Sequence, residues 1–492
     1  MEERGEFAFL EGARGGKGLH HGRAGPSGVL AGGLDALRRG EPRADEHDTD
    51  LAGHVGMVAR NRGGVNNAGL GGGTGGRNVL CTPAVTATCH DAVDPSSRVY
   101  LDWNAGAPLR PEVRAALVDL VQTMGPGNPS SIHGEGRAAR SLVERARRQV
   151  AEAVGAFPLD VVWTSGGTEA NALAILGTLG AASGPVDVAF DPLAHPSVLE
   201  TLREAEARGR ARLVRLPLAS DGRIDLAQAE AMLARARPAF VTVSLASHEL
   251  GVVQDTATLS TLARAAVPEA VVHVDAVAAF GKVPVDVAGT GADLMSLSSH
   301  KIGGPPGAGA LVVRRGLRLD PPIRGGGQER GIRPGTEPVL AIAGFGIAAE
   351  RGACELGETA ERLARLHAHA RAELSSLAGV RIHGAREAST HDTLLVECEG
   401  AEGQLVVMAL DLEGFAVSRG AACSSGTATE VAALLATGHG KVAARQAIRV
   451  SFGPDTTTAE LDAFARALER VLSRIRGAHA RSEAAPAREV RP

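Results

Sequence analysis

The chain has 492 residues, a formal net charge of −4 and only 3% aromatic side chains, and this balance carries no basic footprint for nucleic acid. No uninterrupted apolar run approaches the roughly 20 residues that span a bilayer, so no membrane segment is expected. Five cysteines scattered through so long a chain form no disulfide framework and point to a reducing cytoplasm.

Residues 1–97 are dense in Gly and Arg, as in Gly69-Leu70-Gly71-Gly72-Gly73-Thr74-Gly75-Gly76-Arg77, and lack strand or helix periodicity. Such a segment buries too little apolar surface to offset the entropy of ordering it, so disorder is expected. Met1-Glu2-Glu3 leads into no apolar stretch, which argues against a signal peptide. Cys81, Cys89 and His90 match no zinc spacing, and no metal site is expected. The native start is expected near the end of this leader.

From about residue 98 strand and helix signals alternate. Val161-Val162-Trp163-Thr164 reads as a strand, Ser165-Gly166-Gly167-Thr168 as a turn, and the following residues as a helix to about 180. Free N–H groups at such a helix start, with the Thr168 hydroxyl alongside, can hold a phosphate. Strands are predicted at 186–190, 212–216 and 240–245, and helices at 197–208 and 226–234. His195 falls between a strand and a helix, where a histidine ordinarily does no more than flank the helix.

Val271-Val272-His273-Val274-Asp275 has the pattern of a buried parallel strand ending in a carboxylate that wants a cationic partner. Residues 294–297 end another strand, and Ser298-Ser299-His300-Lys301 then delivers a lysine to a turn of small residues. Taken singly, that lysine is a solvated loop residue. A phosphate cradle, a strand-end aspartate and a corner lysine in this order suit pyridoxal phosphate, which pairs a lysine Schiff base with an acidic partner for its ring nitrogen. The alternation implies an α/β domain around a mostly parallel sheet, with ligands beyond the carboxyl ends of its strands.

After Val339 a long helical stretch leads toward a smaller α+β domain with strands at 394–398, 416–418 and 448–452. Arg449 alternates with Ile448 and Val450 and so faces away from their apolar side; its guanidinium fork fits a carboxylate. The small residues of Ser418-Arg419-Gly420-Ala421-Ala422-Cys423-Ser424-Ser425-Gly426 put Cys423 in a mobile loop. Cys398, in phase with Leu394 and Val396, reads as a packing cysteine and Cys354 as helical filler.

From about Val99 to about Arg476 these residues resemble the cysteine desulfurases, in the class V aminotransferase group of fold-type I pyridoxal phosphate enzymes. The resemblance rests on Tyr100-Leu101-Asp102, Gly127-Asn128-Pro129-Ser130-Ser131-Ile132-His133, Ser165-Gly166-Gly167-Thr168-Glu169, His273-Val274-Asp275-Ala276, Ser299-His300-Lys301, Gly325-Gly326-Gly327-Gln328-Glu329-Arg330-Gly331 and Arg333-Pro334-Gly335-Thr336. It implies a seven-stranded-type sheet in a large domain at 98–350, with 98–125 packing on a small domain at 351–477 that carries the cysteine loop, and a flexible tail at 478–492. It further implies that Lys301 binds the cofactor and that His195 stacks on its ring and moves protons. Gly167, Thr168, Ser298 and His300 would hold the phosphate, Asp275 the ring nitrogen, and Arg449 with Asn128 the substrate carboxylate.

In the same resemblance Cys423 takes sulfur from L-cysteine as a persulfide, and alanine leaves. Thr336 would reach the other subunit's phosphate, implying a homodimer, and the sulfur would pass to an acceptor such as an iron–sulfur scaffold or to tRNA thiolation. Two positions depart from the family: His248 stands where an Asn is usual and Ala278 where a Gln is usual, both near the cofactor's phenolic oxygen, so His248 is expected to serve for both. Selenocysteine lyase or another β-elimination on the same scaffold is the alternative activity, and a cofactor-free partner scaffold is the alternative of another class.

Overall fold

The computed structural model describes residues 98–420 and 430–484; the leader at 1–97, Cys423 and most of the tail lie outside the described residues. The chain enters on β1 (Val99–Tyr100), followed by helices α1 (Pro111–Thr123) and α2 (Gly134–Ala153). The main sheet then takes β2 (Val161–Thr164), α3 (Gly167–Ala181), β3 (Val186–Phe190), α4 (Pro196–Ala207), β4 (Ala211–Arg215), α5 (Leu226–Ala236), β5 (Phe240–Ser244), α6 (Thr256–Ala266), β6 (Val271–Asp275), the short α7 (Val287–Thr290), β7 (Leu294–Ser298) and β8 (Gly309–Val313).

These seven strands lie in the order β2-β8-β7-β6-β5-β3-β4. The run from β4 to β7 is parallel, while β8 pairs antiparallel with both β7 and β2. Every residue of β5 and β7 is buried, because helices cover both faces and strands so placed carry nearly continuous apolar runs. Strand β8 is not announced by the alternation, since Gly309-Ala310-Leu311-Val312-Val313 follows a Gly/Pro turn directly, with no helix before it. Its entry is possible because position 309 has no side chain: a Cβ there would stand 2.6 Å from the Gly166 Cα.

Helix α8 (Val339–Cys354) returns across α2, and α9 (Leu356–Ser375) leads to a second core. There a three-stranded antiparallel sheet, ordered β12-β10-β9, comprises β9 (Val380–His383), β10 (Thr393–Cys398) and β12 (Ala447–Ser451). Between these strands come α10 (Gly403–Leu412), β11 (Phe415–Ala416), α11 (Ala432–Ala436) and α12 (Gly440–Arg445), and α13 (Thr458–Ala484) ends the described chain. Leu101 belongs to this second core and β1 pairs with β11, so the first described residues pack far from their sequence neighbours. The strand expected at 416–418 is the shorter β11, with Ser418 forming a separate bridge to Arg449. Buried Cys398 has its thiol pushed up to about 12 by burial, whereas Cys354 is exposed.

The glycine-rich segment before α8 is pinned by charge. Glu329 accepts from Arg147 at 2.8 and 2.6 Å and from the Trp163 N–H at 2.9 Å, all buried. Glu329 and Arg330 adopt left-handed backbone angles, φ 46° and 59°, which non-glycine residues hold only where surrounding contacts impose them. A second fork, Arg333 on Glu169 at 2.7 and 3.2 Å, ties the same segment to the start of α3. Glu329→Ala is expected to lower stability by about 3–5 kcal/mol, because it removes the buried partner of Arg147 and leaves its charge only the more exposed Glu144; the midpoint of urea denaturation measures it, and a variant unfolding with the parent would refute this role.

Candidate functional site

A cavity of about 400 Å³ opens where β6 and β7 end and α3 begins, and Arg449 of the second sheet reaches its wall. Asp275, the last residue of β6, faces it. Its Oδ2 accepts from Asn171 Nδ2 at 2.7 Å and its Oδ1 from the Val277 N–H at 3.0 Å. Both bonds satisfy oxygens that burial has taken from water.

Lys301 follows β7 in a single helical turn. Its Nζ donates to the main-chain carbonyls of Asn104 and, at 3.2 Å, of Ala105. Beside it the His300 Nδ1 lies 2.8 Å from the Ser298 Oγ, and burial, with Lys301 second, pushes the His300 imidazole down to about 4.

Helix α3 begins at Gly167 with no side chain capping its first N–H groups, and Ser165 to Thr168 line the cavity. An uncapped helix start beside a cavity is a seat for an anion. A Cβ at 167 would stand 2.7 Å from Val277 Cγ2, so glycine is required for the helix to approach the β6 end.

His195 caps α4: its Nδ1 accepts from the Ser197 N–H at 3.1 Å. Its ring meets His248 edge to face, centroids 5.2 Å apart. Burial lowers the pKa of His195, Asp275 opposes this, and Lys301 and Arg449 add to it. His248 is held well below the ordinary value by burial first and then by His195, Arg449 and Lys301, so both rings are neutral at neutral pH. The buried Nε2 of His248 has no hydrogen-bond partner among the described residues.

Arg449 is 1% exposed. It donates to Asp102 at 2.8 Å and to the His248 carbonyl at 3.2 Å, while its Nε has no partner among the described residues.

Of the residues singled out in the sequence, the cavity wall collects Gly167, Thr168, His195, His248, Asp275, His300, Lys301 and Arg449, with Ala278 beside them. Ser298 is buried behind His300. Asn128 and Thr336 are exposed and do not line the cavity; Asn128 Oδ1 accepts from the Ser130 N–H at 2.9 Å. Cys423 lies outside the described residues. The wall also contains Asn104, Asn171 and Lys282, which sequence reasoning missed. Asn171 was findable, since it sits one helical turn beyond Thr168; nothing in the pattern around Asn104 or Lys282 pointed to a site. Elsewhere His369, Glu373 and Asp462 bring ligand atoms within 4.8 Å of one another, but His369 and Asp462 already form an ion-pair geometry at 2.6 Å.

The family model for class V aminotransferases matches residues 99–464. The chain belongs to the class V aminotransferase family. Among relatives, a protein of Cereibacter sphaeroides named cysteine desulfurase is 40% identical over 385 residues, which cover 77% of this chain and 97% of the relative. One of Dictyoglomus turgidum named cysteine desulfurase IscS is 35% identical, covering 77% and 95%. A solved NifS-like protein superposes with a TM-score of 0.71 at 30% identity, covering 76% of this chain and 99% of that one. No helix among the described residues of this class V aminotransferase is long and apolar enough to cross a membrane.

One buried imidazole near the site sets a pH dependence. His273 lies fully buried between Thr242 Oγ1 at 2.8 Å and Ser296 Oγ at 2.9 Å. Burial pushes it from 6.5 down to about 4, with Asp275 opposing. Between those values the unfolded chain binds one more proton than the folded one, so stability is full above pH 6.5 and falls as pH drops, by up to about 3 kcal/mol. His273→Leu is expected to flatten the pH dependence of the unfolding free energy in this window by about one proton; an unchanged slope would assign the dependence to other groups.

Proposed function

We propose that this class V aminotransferase is a cysteine desulfurase that uses pyridoxal phosphate. L-Cysteine gives L-alanine, and the sulfur stays on Cys423 as a persulfide for transfer to an acceptor. The reading is carried by Asp275, Lys301 and the uncapped start of α3 converging on one cavity, together with the named relatives.

The donor set fits the cofactor. Asp275 would hold the ring nitrogen protonated, the α3 N–H groups with Gly167, Thr168 and His300 the phosphate, and Lys301 the aldehyde carbon; Ser298 supports His300. The cofactor supplies an electron sink for the bond breaking at the substrate Cα. Neutral His195 would stack on the ring, and Lys301 or His195 takes the Cα proton and later returns it. Arg449 would bind the substrate carboxylate, and its unsatisfied Nε supports that role. Asn128 is the second proposed carboxylate contact, although within one chain it lies off the cavity wall with its Oδ1 accepting from the Ser130 N–H.

Cys423 as thiolate attacks the substrate sulfur, breaking its bond to Cβ. The main-chain bridge between Ser418 and Arg449, with bonds of 3.2 and 2.6 Å, starts its loop beside the proposed carboxylate site. Thr336, exposed on one chain, would contact the phosphate of a second subunit in a homodimer. The acceptor would be a protein such as an iron–sulfur scaffold.

Pyridoxal phosphate has four polar functions, and after ring nitrogen, phosphate and aldehyde are assigned the phenolic oxygen is left. Ala278 offers it only a methyl group. His248, neutral and with an unsatisfied Nε2, is the proposed donor.

Wild-type protein with pyridoxal phosphate and a thiol reductant is expected to release alanine and sulfide from L-cysteine. Cys423→Ala is expected to lose at least about 100-fold in rate while keeping the visible cofactor band; equal rates in both would rule out the persulfide route. His248→Phe is expected to raise the pH midpoint of the visible absorbance change by about one unit, the equivalent of one hydrogen bond to a charged oxygen. His248→Asn, which keeps a donor, is expected to stay near the parent value, and an unmoved His248→Phe midpoint would remove the ring from this role.

A further inference from the structure

Asn104 uses every polar atom it has, and its bonds reach both the second sheet and the segments after β5, β6 and β7. Its N–H donates to Ser451 Oγ at 3.0 Å on β12. Its side-chain Nδ2 donates to Thr393 Oγ1 at 2.6 Å on β10 and to the His248 carbonyl at 3.3 Å after β5. Its Oδ1 accepts from Lys282 Nζ at 2.6 Å, and its carbonyl accepts from Lys301 Nζ.

Lys282 is held in turn. Its Nζ lies 2.5 Å from Asp392 Oδ2, and Asp392, 1% exposed, accepts through Oδ1 from Thr390 and Thr393 hydroxyls at 2.5 and 2.8 Å. The arrangement spans the β1 exit, the turn after β6 and the end of the second sheet. Lys282 is a second lysine on the cavity wall, yet its ammonium is committed to a buried carboxylate and an amide oxygen. It is therefore poorly placed to act as the reacting amine, and well placed to fix the side chain whose own carbonyl receives Lys301.

We propose that Asn104, held by its side-chain hydrogen bonds to Lys282 and Thr393, is the positioning residue for Lys301. The carbonyls of Asn104 and Ala105 aim the Lys301 nitrogen into the cavity whenever it is not bonded to cofactor, and hold its N–H groups while it carries a proton. The proposal rests on the desulfurase reading for the identity of the cofactor. Besides Lys301, four charged residues, Glu169, Asp275, Arg449 and Lys282, line the cavity with the imidazoles of His195, His248 and His300. None of these groups donates to or accepts from the Asn104 carbonyl.

The test is the rate at which apoprotein captures pyridoxal phosphate, read as growth of the visible band. In that reaction the Lys301 nitrogen bonds to the aldehyde carbon and one water leaves, so the rate reports how the free lysine is presented. Asn104→Ala leaves the Lys282–Asp392 pair intact and is expected to slow capture about tenfold, and to lower kcat for alanine formation similarly while KM changes less than about twofold, because Arg449 is untouched.

The double variant Lys282→Gln with Asp392→Asn keeps hydrogen bonds without charge and is expected to capture near the wild-type rate. If Asn104→Ala does not fold, Lys282→Met with Asp392→Leu removes the bond to Asn104 with apolar side chains and is expected to slow capture in the same way. Capture by Asn104→Ala at the wild-type rate, or equal slowing in the Gln/Asn pair, would overturn the positioning role. Failure of the wild-type protein to capture the cofactor at all would instead overturn the proposed function.

Discussion

The Asp275 carboxylate is the charge around which the cavity is organised, and its place follows from sheet topology. In a parallel sheet all strands end on one side, so β6 and β7 release Asp275 and Lys301 at the same edge. A buried carboxylate needs hydrogen bonds in place of its water. Asn171 from α3 and the Val277 N–H supply them, and Asn171 lies one turn into the helix whose uncapped start faces the same space. Cation-seeking and anion-seeking ends are thereby set a helix turn apart, which suits a ligand with a basic ring nitrogen and a phosphate. The absence of a side chain at 167 permits that approach.

Three imidazoles share the wall with three cations. Burial drives His195 and His248 toward the uncharged form, and the nearby Lys301 and Arg449 reinforce it. Charge in the cavity is then concentrated in groups with fixed partners: Arg449 on Asp102, Lys282 on Asp392. Breaking either pair leaves an uncompensated buried ion. Arg449 on Asp102 joins the first described residues to the second sheet and Lys282 on Asp392 joins the turn after β6 to it, so the integrity of the cavity and the packing of the two cores depend on one another.

Much of this was legible from the chain. The strand at 186–190 coincides with β3 and that at 271–275 with β6, because mostly buried strands write their burial as short valine-rich stretches. The Gly-Gly start of α3, the end of β6 and the corner after β7 each carry a local signature, and they meet at one cavity. Strand β8 was not legible, since an antiparallel return with no intervening helix breaks the alternation that signals a parallel sheet. Glu329, in a glycine-rich run that reads as loop, is buried because Arg147, 182 positions away, requires a partner.

The sequence by itself determined the α/β class and the family and singled out Asp275, His195, Lys301 and Arg449, which share one cavity, because those readings depend on residue type, local periodicity and motif order. Only the tertiary structure decided that Asn104, Lys282 and Asn171 belong to the same cavity and that Asn128 and Thr336 do not line it within one chain. Asn104 meets Lys301 across 197 positions and Thr393 across 289. Contacts at such separations arise from how two cores pack around one entering segment, and no short-range pattern of side chains encodes that packing.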